Sequence, residues 1–420
     1  MKVLILSSSD NQGGAARAAN RLHKGLLTTG VYSQMLVQDK NTQDSDVVPI
    51  TNTRIGESIA WSRVAIDNYP LKKYSQRKKS TFSLQWLPDK VSTTVKQLRP
   101  DIVNLHWVNA GFLRIESLSK ISLPLAWTLH DMWPFTGGCH YDQNCERYVG
   151  ACGQCPALSS KKDSDLSRWV WQRKYNTFQK ANLTVVTPSQ WLAQCARKST
   201  LFMNRRVEVI PNGVDESVYK PIDKSLARNL LGLPSDIKII LFGALRATSD
   251  KRKGFHLLHP ALLELTKAGR LDGVEIAVIG SPPPKNPPDF GLKTHYLGVF
   301  NDDISMATIY SAADVFVAPS LQENLANTVM EALACGLPCV AFRIGGMPDM
   351  INHCENGYLA KPFEVEDLAK GIFETLQDGE RYQKLTFNSR QKVISNFTLD
   401  IQAKQYSKLF EDIQKAKVNS

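Results

Sequence analysis

The amino-acid sequence predicts an α/β protein made of two doubly wound parallel-sheet domains, each with its own core. Short apolar runs alternate with stretches of helical spacing through both halves of the chain. Its 420 residues suffice for two such cores. Between the halves, IPNGVDESVYKP (residues 210–221) gathers the Pro, Asn and Gly of an interdomain connector.

The first half opens with an apolar strand at 3–6, a loop holding Gly13 and Gly14, and helical spacing over 15–28. Further strand-like runs lie at 102–105, 125–129 and 183–186. The second half repeats the alternation, with strands at 239–242, 275–279, 294–297, 315–317 and 338–341. A rigid SPPPKNPP loop occupies 281–288, and the polar stretch 398–420 reads as a closing helix. Domains of this kind place ligands beyond the carboxyl ends of their strands.

Composition bounds the function. With 43% hydrophobic residues and no apolar run long enough to span a bilayer, a soluble or peripheral protein is expected. MKVLIL is followed at once by polar SSSDNQ, which suits a first strand rather than a secretory leader, so a cytoplasmic location is expected. The formal net charge of +11 invites a nucleic-acid reading, but no helix-turn-helix, RNA-recognition or zinc-finger pattern accompanies it. Lys72, Lys73, Arg77, Lys78 and Lys79, interleaved with Trp61, Tyr69, Tyr74, Phe82 and Trp86, fit either an anionic membrane surface or a solvated basic loop. NQGGAARAA lacks the spaced glycines of a dinucleotide fingerprint, which argues against a nicotinamide dehydrogenase.

The segment APSLQENLANTVMEALACGLPCVAF carries two acids, Glu323 and Glu331, with seven residues between them. The pattern is a strand, a loop, then a helix opening near Asn324, Leu325, Ala326 and Asn327. First-turn amides lack intrahelical partners, and with the helix dipole they form an anion site suited to a diphosphate. One carboxylate can then serve sugar hydroxyls and the other a ribose diol, or the segment is an ordinary amphipathic helix with two solvated acids.

This arrangement resembles the acidic motif of the retaining glycosyltransferases of family 4. The resemblance continues through the N-terminal glycine loop, TLHD with His130, VVTPSQWLA (185–193), VIPNGVD (209–215) and FGALRATSDKRKGF (242–255) with Arg246 and Lys253, in the family's order. It implies the GT-B architecture, two Rossmann-like domains facing each other across a cleft. The implied boundaries are 1–213 for an acceptor-side domain with a cysteine-rich insert at 137–158, 214–395 for a nucleotide-sugar domain, and 396–420 for a helix returning to the first domain. The implied reaction is metal-independent transfer of a hexosyl unit from a UDP- or GDP-sugar to a glycan or lipid-linked acceptor in polysaccharide synthesis, peripheral to the inner face of the cell membrane. Gly13 and Gly14 would approach the donor phosphates. Arg246 and Lys253, with Lys251 the alternative lysine, would stabilise the departing diphosphate. Glu331 would hold the ribose, Glu323 the donor sugar, and His130 a sugar hydroxyl. His106 lines the acceptor side or is structural. A nucleotide-sugar 2-epimerase shares this fold and remains the alternative, and a non-catalytic nucleotide-binding protein would leave these charged groups idle.

After His130, WPFTGGCHYDQNCERYVGACGQCP crowds Cys139, Cys145, Cys152 and Cys155 into one loop. Four thiols ending in C-x-x-C suit a tetrahedral structural zinc, with His140 able to replace one; disulfides and free thiols are the other readings. Such an insert resembles that of a subset of family-4 enzymes of exopolysaccharide or O-antigen assembly. Cys195, Cys335, Cys339 and Cys354 read as small core residues.

Overall fold

The computed structural model describes residues 1–51, 53–243, 250–280, 283, 287–300, 302–377 and 379–418. The chain forms two compact units: Met1–Gly213 together with Leu399–Ser420, and Val214–Thr398. Its strands are β1 (Lys2–Ser9), β2 (Tyr32–Asp39), β3 (Val47–Pro49), β4 (Ile102–Leu105), β5 (Leu125–Thr128), β6 (Leu183–Thr187), β7 (Val207–Val209), β8 (Lys238–Gly243), β9 (Val274–Ile279), β10 (Thr294–Gly298), β11 (Val315–Ala318), β12 (Cys339–Phe342) and β13 (Gly357–Ala360). The helices are α1 (Gly14–Thr28), α2 (Arg54–Asp67), α3 (Val91–Leu98), α4 (Leu166–Phe178), α5 (Gln190–Lys198), α6 (Lys224–Leu231), α7 (Phe255–Lys267), α8 (Asp303–Ala312), α9 (Asn327–Ala334), α10 (Met347–Met350), α11 (Val365–Thr375), α12 (Glu380–Asn396) and α13 (Leu399–Val418).

In the first unit seven parallel strands run in the order β3-β2-β1-β4-β5-β6-β7. In the second, six run β10-β9-β8-β11-β12-β13, again parallel. Strands covered on both faces should read as continuous apolar runs, and Val3, Leu4, Ile5 and Leu6 are all fully buried. Each such side chain contributes about 1.5–3 kcal/mol of burial. One face of the first sheet packs Val3, Ile5 and Ala126 with Leu22 of α1 and with Ala403, Tyr406 and Phe410 of α13.

Every strand expected from the sequence is present. Four further strands are β2, β3, β7 and β13. Three of these are sheet edges only three or four residues long, and β2 begins and ends on polar residues, so their patterns are weak. One cysteine departs from expectation: Cys354 sits exposed in a turn with φ 63°, because the chain there reverses into β13 instead of entering the core. Among the described residues, no helix is long and apolar enough to cross a membrane.

The strand order reverses between β1 and β4 in the first sheet and between β8 and β11 in the second. Loops leaving the carboxyl ends of such neighbours diverge to opposite faces and open a crevice. Gly13 and His106 lie on the loops after β1 and β4, and Lys253 and Glu323 on those after β8 and β11; His130 follows β5, and Glu331 lies within α9.

Candidate active site

In the second unit, β11 ends at Ala318 and the chain runs through Pro319, Ser320 and Glu323 before α9 begins at Asn327. The basic segment after β8 clamps this loop. Lys253 Nζ and Arg252 Nη1 stand 2.7 and 2.9 Å from one oxygen, Glu323 Oε2. Arg252 Nη1 also donates to Gln322 O at 2.9 Å, and Leu321 N donates to Arg252 O at 2.8 Å. Asp250 Oδ2 lies 3.6 Å from the other arm of the guanidinium. Two glycines permit this closeness. At Gly254 (φ 74°) a Cβ would lie 1.7 Å from Pro319 O, and at Gly345 (φ 51°) 1.8 Å from Glu323 O.

Glu323 is 8% exposed. Burial alone would raise its pKa, but Lys253 and Arg252 override that and hold it at about 2. The carboxylate is therefore ionised, with its charge already shared by two cations. Asn324 and Leu325 are buried, and Ala326 and Asn327 are half-buried at the helix start. Ala326 caps α9 without a side-chain acceptor, so the first-turn amides get no help from their own cap. Glu331, one turn into α9, is 2% exposed and accepts from the Tyr310 hydroxyl at 3.2 Å. Arg246 lies outside the described residues.

In the first unit, Gly13 (φ 86°) caps α1, and Gly14 is its first residue; both are exposed, and a Cβ at Gly13 would meet nothing within 4 Å. Buried Asp10 ties this loop to the end of β2 by accepting from Asn41 N (3.0 Å), Thr42 N (2.9 Å) and Thr42 Oγ1 (2.7 Å). His106 follows β4 and His130 follows β5. Their rings stack, with His106 Nδ1 2.8 Å from His130 Nε2. Burial, outweighing the Asp131 charge, pushes the His130 imidazole down to about 4. Burial and then the neighbouring His130 hold His106 well below the ordinary histidine range. Both rings are neutral near pH 7.

Cys139, Cys145, Cys152 and Cys155 line a single small cavity and are free thiols. Gly137 N donates to Cys152 Sγ at 3.2 Å, and the amides of Arg147 and of Ala157 and Leu158 approach Cys145 and Cys155. Fully buried Lys174 braces the loop, donating to Thr136 O at 3.0 Å and to Trp133 O. The donor set suits zinc, yet among the described residues no three His, Cys, Asp or Glu side chains converge closely enough to hold an ion. His140 is engaged elsewhere, with Nδ1 2.6 Å from Asp131 Oδ2 and Nε2 2.9 Å from Ser83 Oγ. It is therefore poorly placed to replace a thiol.

Sequence reading brought Lys253 and Glu323 into view separately but missed Arg252 as the second partner, and missed Tyr310 beside Glu331. The run Lys251-Arg252-Lys253 signalled a basic site without saying which side chains turn inward.

Two Rossmann-like parallel-sheet units, with a basic and an acidic loop at the switch point of the second sheet, have the architecture of the GT-B class. Residues 12–218 match the family described as Glycosyltransferase Family 4, and residues 236–378 match Glycosyl transferases group 1. The chain belongs to these glycosyltransferases.

It is 24% identical over 215 residues to N-acetyl-alpha-D-glucosaminyl L-malate synthase of Bacillus anthracis, covering 50% of this chain and 55% of that protein. It is 31% identical over 184 residues to D-inositol 3-phosphate glycosyltransferase of Mycobacterium bovis, covering 41% and 36% respectively. The chain thus spans about half, or less, of these curated relatives. Sucrose-phosphate synthase from Thermosynechococcus elongatus superposes with TM-score 0.70 at 18% identity, covering 99% of each chain. Anabaena HepE in complex with UDP and glucose gives 0.64 at 19% identity, covering 98% of this chain and 100% of that one. These likenesses concern the fold.

Proposed function

We propose that this glycosyltransferase moves a hexosyl unit from a UDP- or GDP-sugar to a glycan or lipid-linked acceptor, with retention at the anomeric carbon. The observation that carries the reading is the Arg252/Lys253 clamp on Glu323, four residues ahead of α9 at the switch point of the second sheet. In the proposed step the anomeric C–O bond to the diphosphate breaks and the acceptor oxygen bonds to the same face. Arg246, Lys253 and the first amides of α9 meet the charge that builds on the leaving group, so no divalent ion is assigned a role. Glu331 would hold the ribose hydroxyls and Glu323 the donor sugar. A carboxylate already neutralised by two cations is a weak nucleophile, which favours front-face attack, the departing phosphate taking the acceptor's proton. His130 would meet a sugar hydroxyl. The matched families are transferases, which disfavours the epimerase alternative.

Labelled UDP- and GDP-hexoses test this. At 100 times its dissociation constant, the true donor should add about 2.7 kcal/mol of apparent stability. Label should pass to an acceptor, and Glu331→Ala should weaken nucleotide affinity by about 10- to 100-fold. An altered sugar formed without acceptor, or no stabilisation by any donor, would overturn the reading.

For the cysteine loop we propose a structural zinc held by Cys139, Cys145, Cys152 and Cys155, the loop contracting around it, with no step of transfer routed through the metal. Burial raises all four thiols above their ordinary range, and the N–H donors that reach Cys145, Cys152 and Cys155 oppose that, the direction a bound metal would complete. Protein purified under reducing conditions should contain about one zinc per chain. Less than about a tenth of an equivalent would refute the assignment.

A further inference from the structure

The two histidines of the first unit belong to a buried hydrogen-bond ladder whose direction is set at its far end. Asn104 is fully buried in β4, opposite Ala126 of β5. Its side-chain nitrogen stands 2.9 Å from Ala126 O and 3.1 Å from Thr128 Oγ1. A peptide carbonyl only accepts, so the amide group facing Ala126 must be Nδ2, and the reversed amide would set two oxygens against each other. Asn104 Oδ1 therefore faces His106 Nε2, 2.9 Å away. An amide oxygen cannot donate, so His106 carries its proton on Nε2. With that ring neutral, Nδ1 holds a lone pair and accepts across the 2.8 Å contact to His130 Nε2.

We infer that Asn104 and His106 are positioning residues that fix His130 as the Nε2–H tautomer, with Nδ1 as the ring's acceptor. The ladder runs His130 Nε2–H to His106 Nδ1, His106 Nε2–H to Asn104 Oδ1, and Asn104 Nδ2–H to Ala126 O. Thr128 Oγ1 extends it to Tyr406 of α13, 2.8 Å away. The inference deepens the proposed role of His130 and rests on that role only for its effect on turnover. A substrate hydroxyl engaging Nδ1 does so as a donor, which selects an O–H over a carboxylate or keto oxygen at that point. Asn104 and His106 are separated by one residue in the chain and His130 by 24 more, so the wiring depends on β4 and β5 being neighbours.

The experiment uses full-length protein labelled with [15N]histidine, with His130→Gln assigning the His130 resonances. In wild type, His130 Nδ1 should show the shift of an unprotonated ring nitrogen and Nε2 that of a protonated one. His106→Phe keeps a ring but removes the acceptor, and His130 should then become a mixture of tautomers. Turnover should fall by about tenfold or more with donor affinity within about twofold. A wild-type His130 protonated on Nδ1 overturns the inference without any variant having to fold. An unchanged tautomer in His106→Phe also overturns it. A shifted tautomer with unchanged turnover overturns the positioning role while leaving the glycosyl-transfer reading intact.

Discussion

Lys253→Ala should lower turnover by about 10²–10³-fold, the loss expected when one preorganised donor to developing negative charge is removed. Lys253 reaches Glu323 Oε2 from the loop before α7, and Gly254 behind it lets the loop press against Pro319 O. The ammonium is thus held at the mouth of α9 before any substrate arrives, and little reorganisation is needed when the diphosphate departs. Arg252 keeps its contacts with Glu323 and Gln322 in the variant, so melting temperature should fall only slightly. Steady-state kinetics with the confirmed donor, alongside a thermal melt, separates lost chemistry from lost fold. Wild-type turnover in a folded variant would remove Lys253 from the proposed mechanism.

Glu323→Gln should have the second large effect, visible in both stability and rate. In the folded protein the carboxyl titrates at about 2 rather than 4.5, which corresponds to about 3 kcal/mol. A depressed carboxyl stabilises the fold above its unfolded pKa. Wild-type stability should therefore be level in this contribution above pH 4.5 and decline as pH falls toward 2. The amide abolishes that decline and leaves two cations facing each other, so stability at pH 7 should drop by about 2 kcal/mol, the cations' partial exposure softening the larger cost of a fully buried break. Urea melts at pH 7, 4.5, 3 and 2.5 measure both. Transfer should fall by about 10²-fold or more. A variant with the same pH–stability curve as wild type would show that Glu323 is not clamped in solution.

How far the sequence alone reaches depends on the range of the interaction. Strands such as 102–105 and 239–242 are apolar throughout because helices cover both faces, and that requirement is local enough to read. The helix from Gly14 and the loop leading to Asn327 announce themselves by spacing and composition. Arg252 and Glu323 are 71 residues apart, and nothing in either neighbourhood says that the arginine as well as Lys253 will reach the acid. Their meeting depends on β8 lying beside β11, a consequence of strand order. The same is true of His106, read as either acceptor-side or structural: its role depends on a proton position dictated by Asn104 through the β4–β5 pairing. Tyr310 carried no signal at all, since an aromatic at helical spacing usually means only packing.

The last helix has a bearing on biogenesis. Tyr406 and Phe410 complete one apolar face of a sheet whose strands all precede residue 210, and the whole second unit intervenes in the chain. At ribosomal speed that interval lasts about 10–40 s, during which α1 alone covers that face and the part beneath Tyr406 and Phe410 is left open. That open part is the kind of transient apolar surface that holding chaperones recognise, and it closes only when the C-terminal segment arrives.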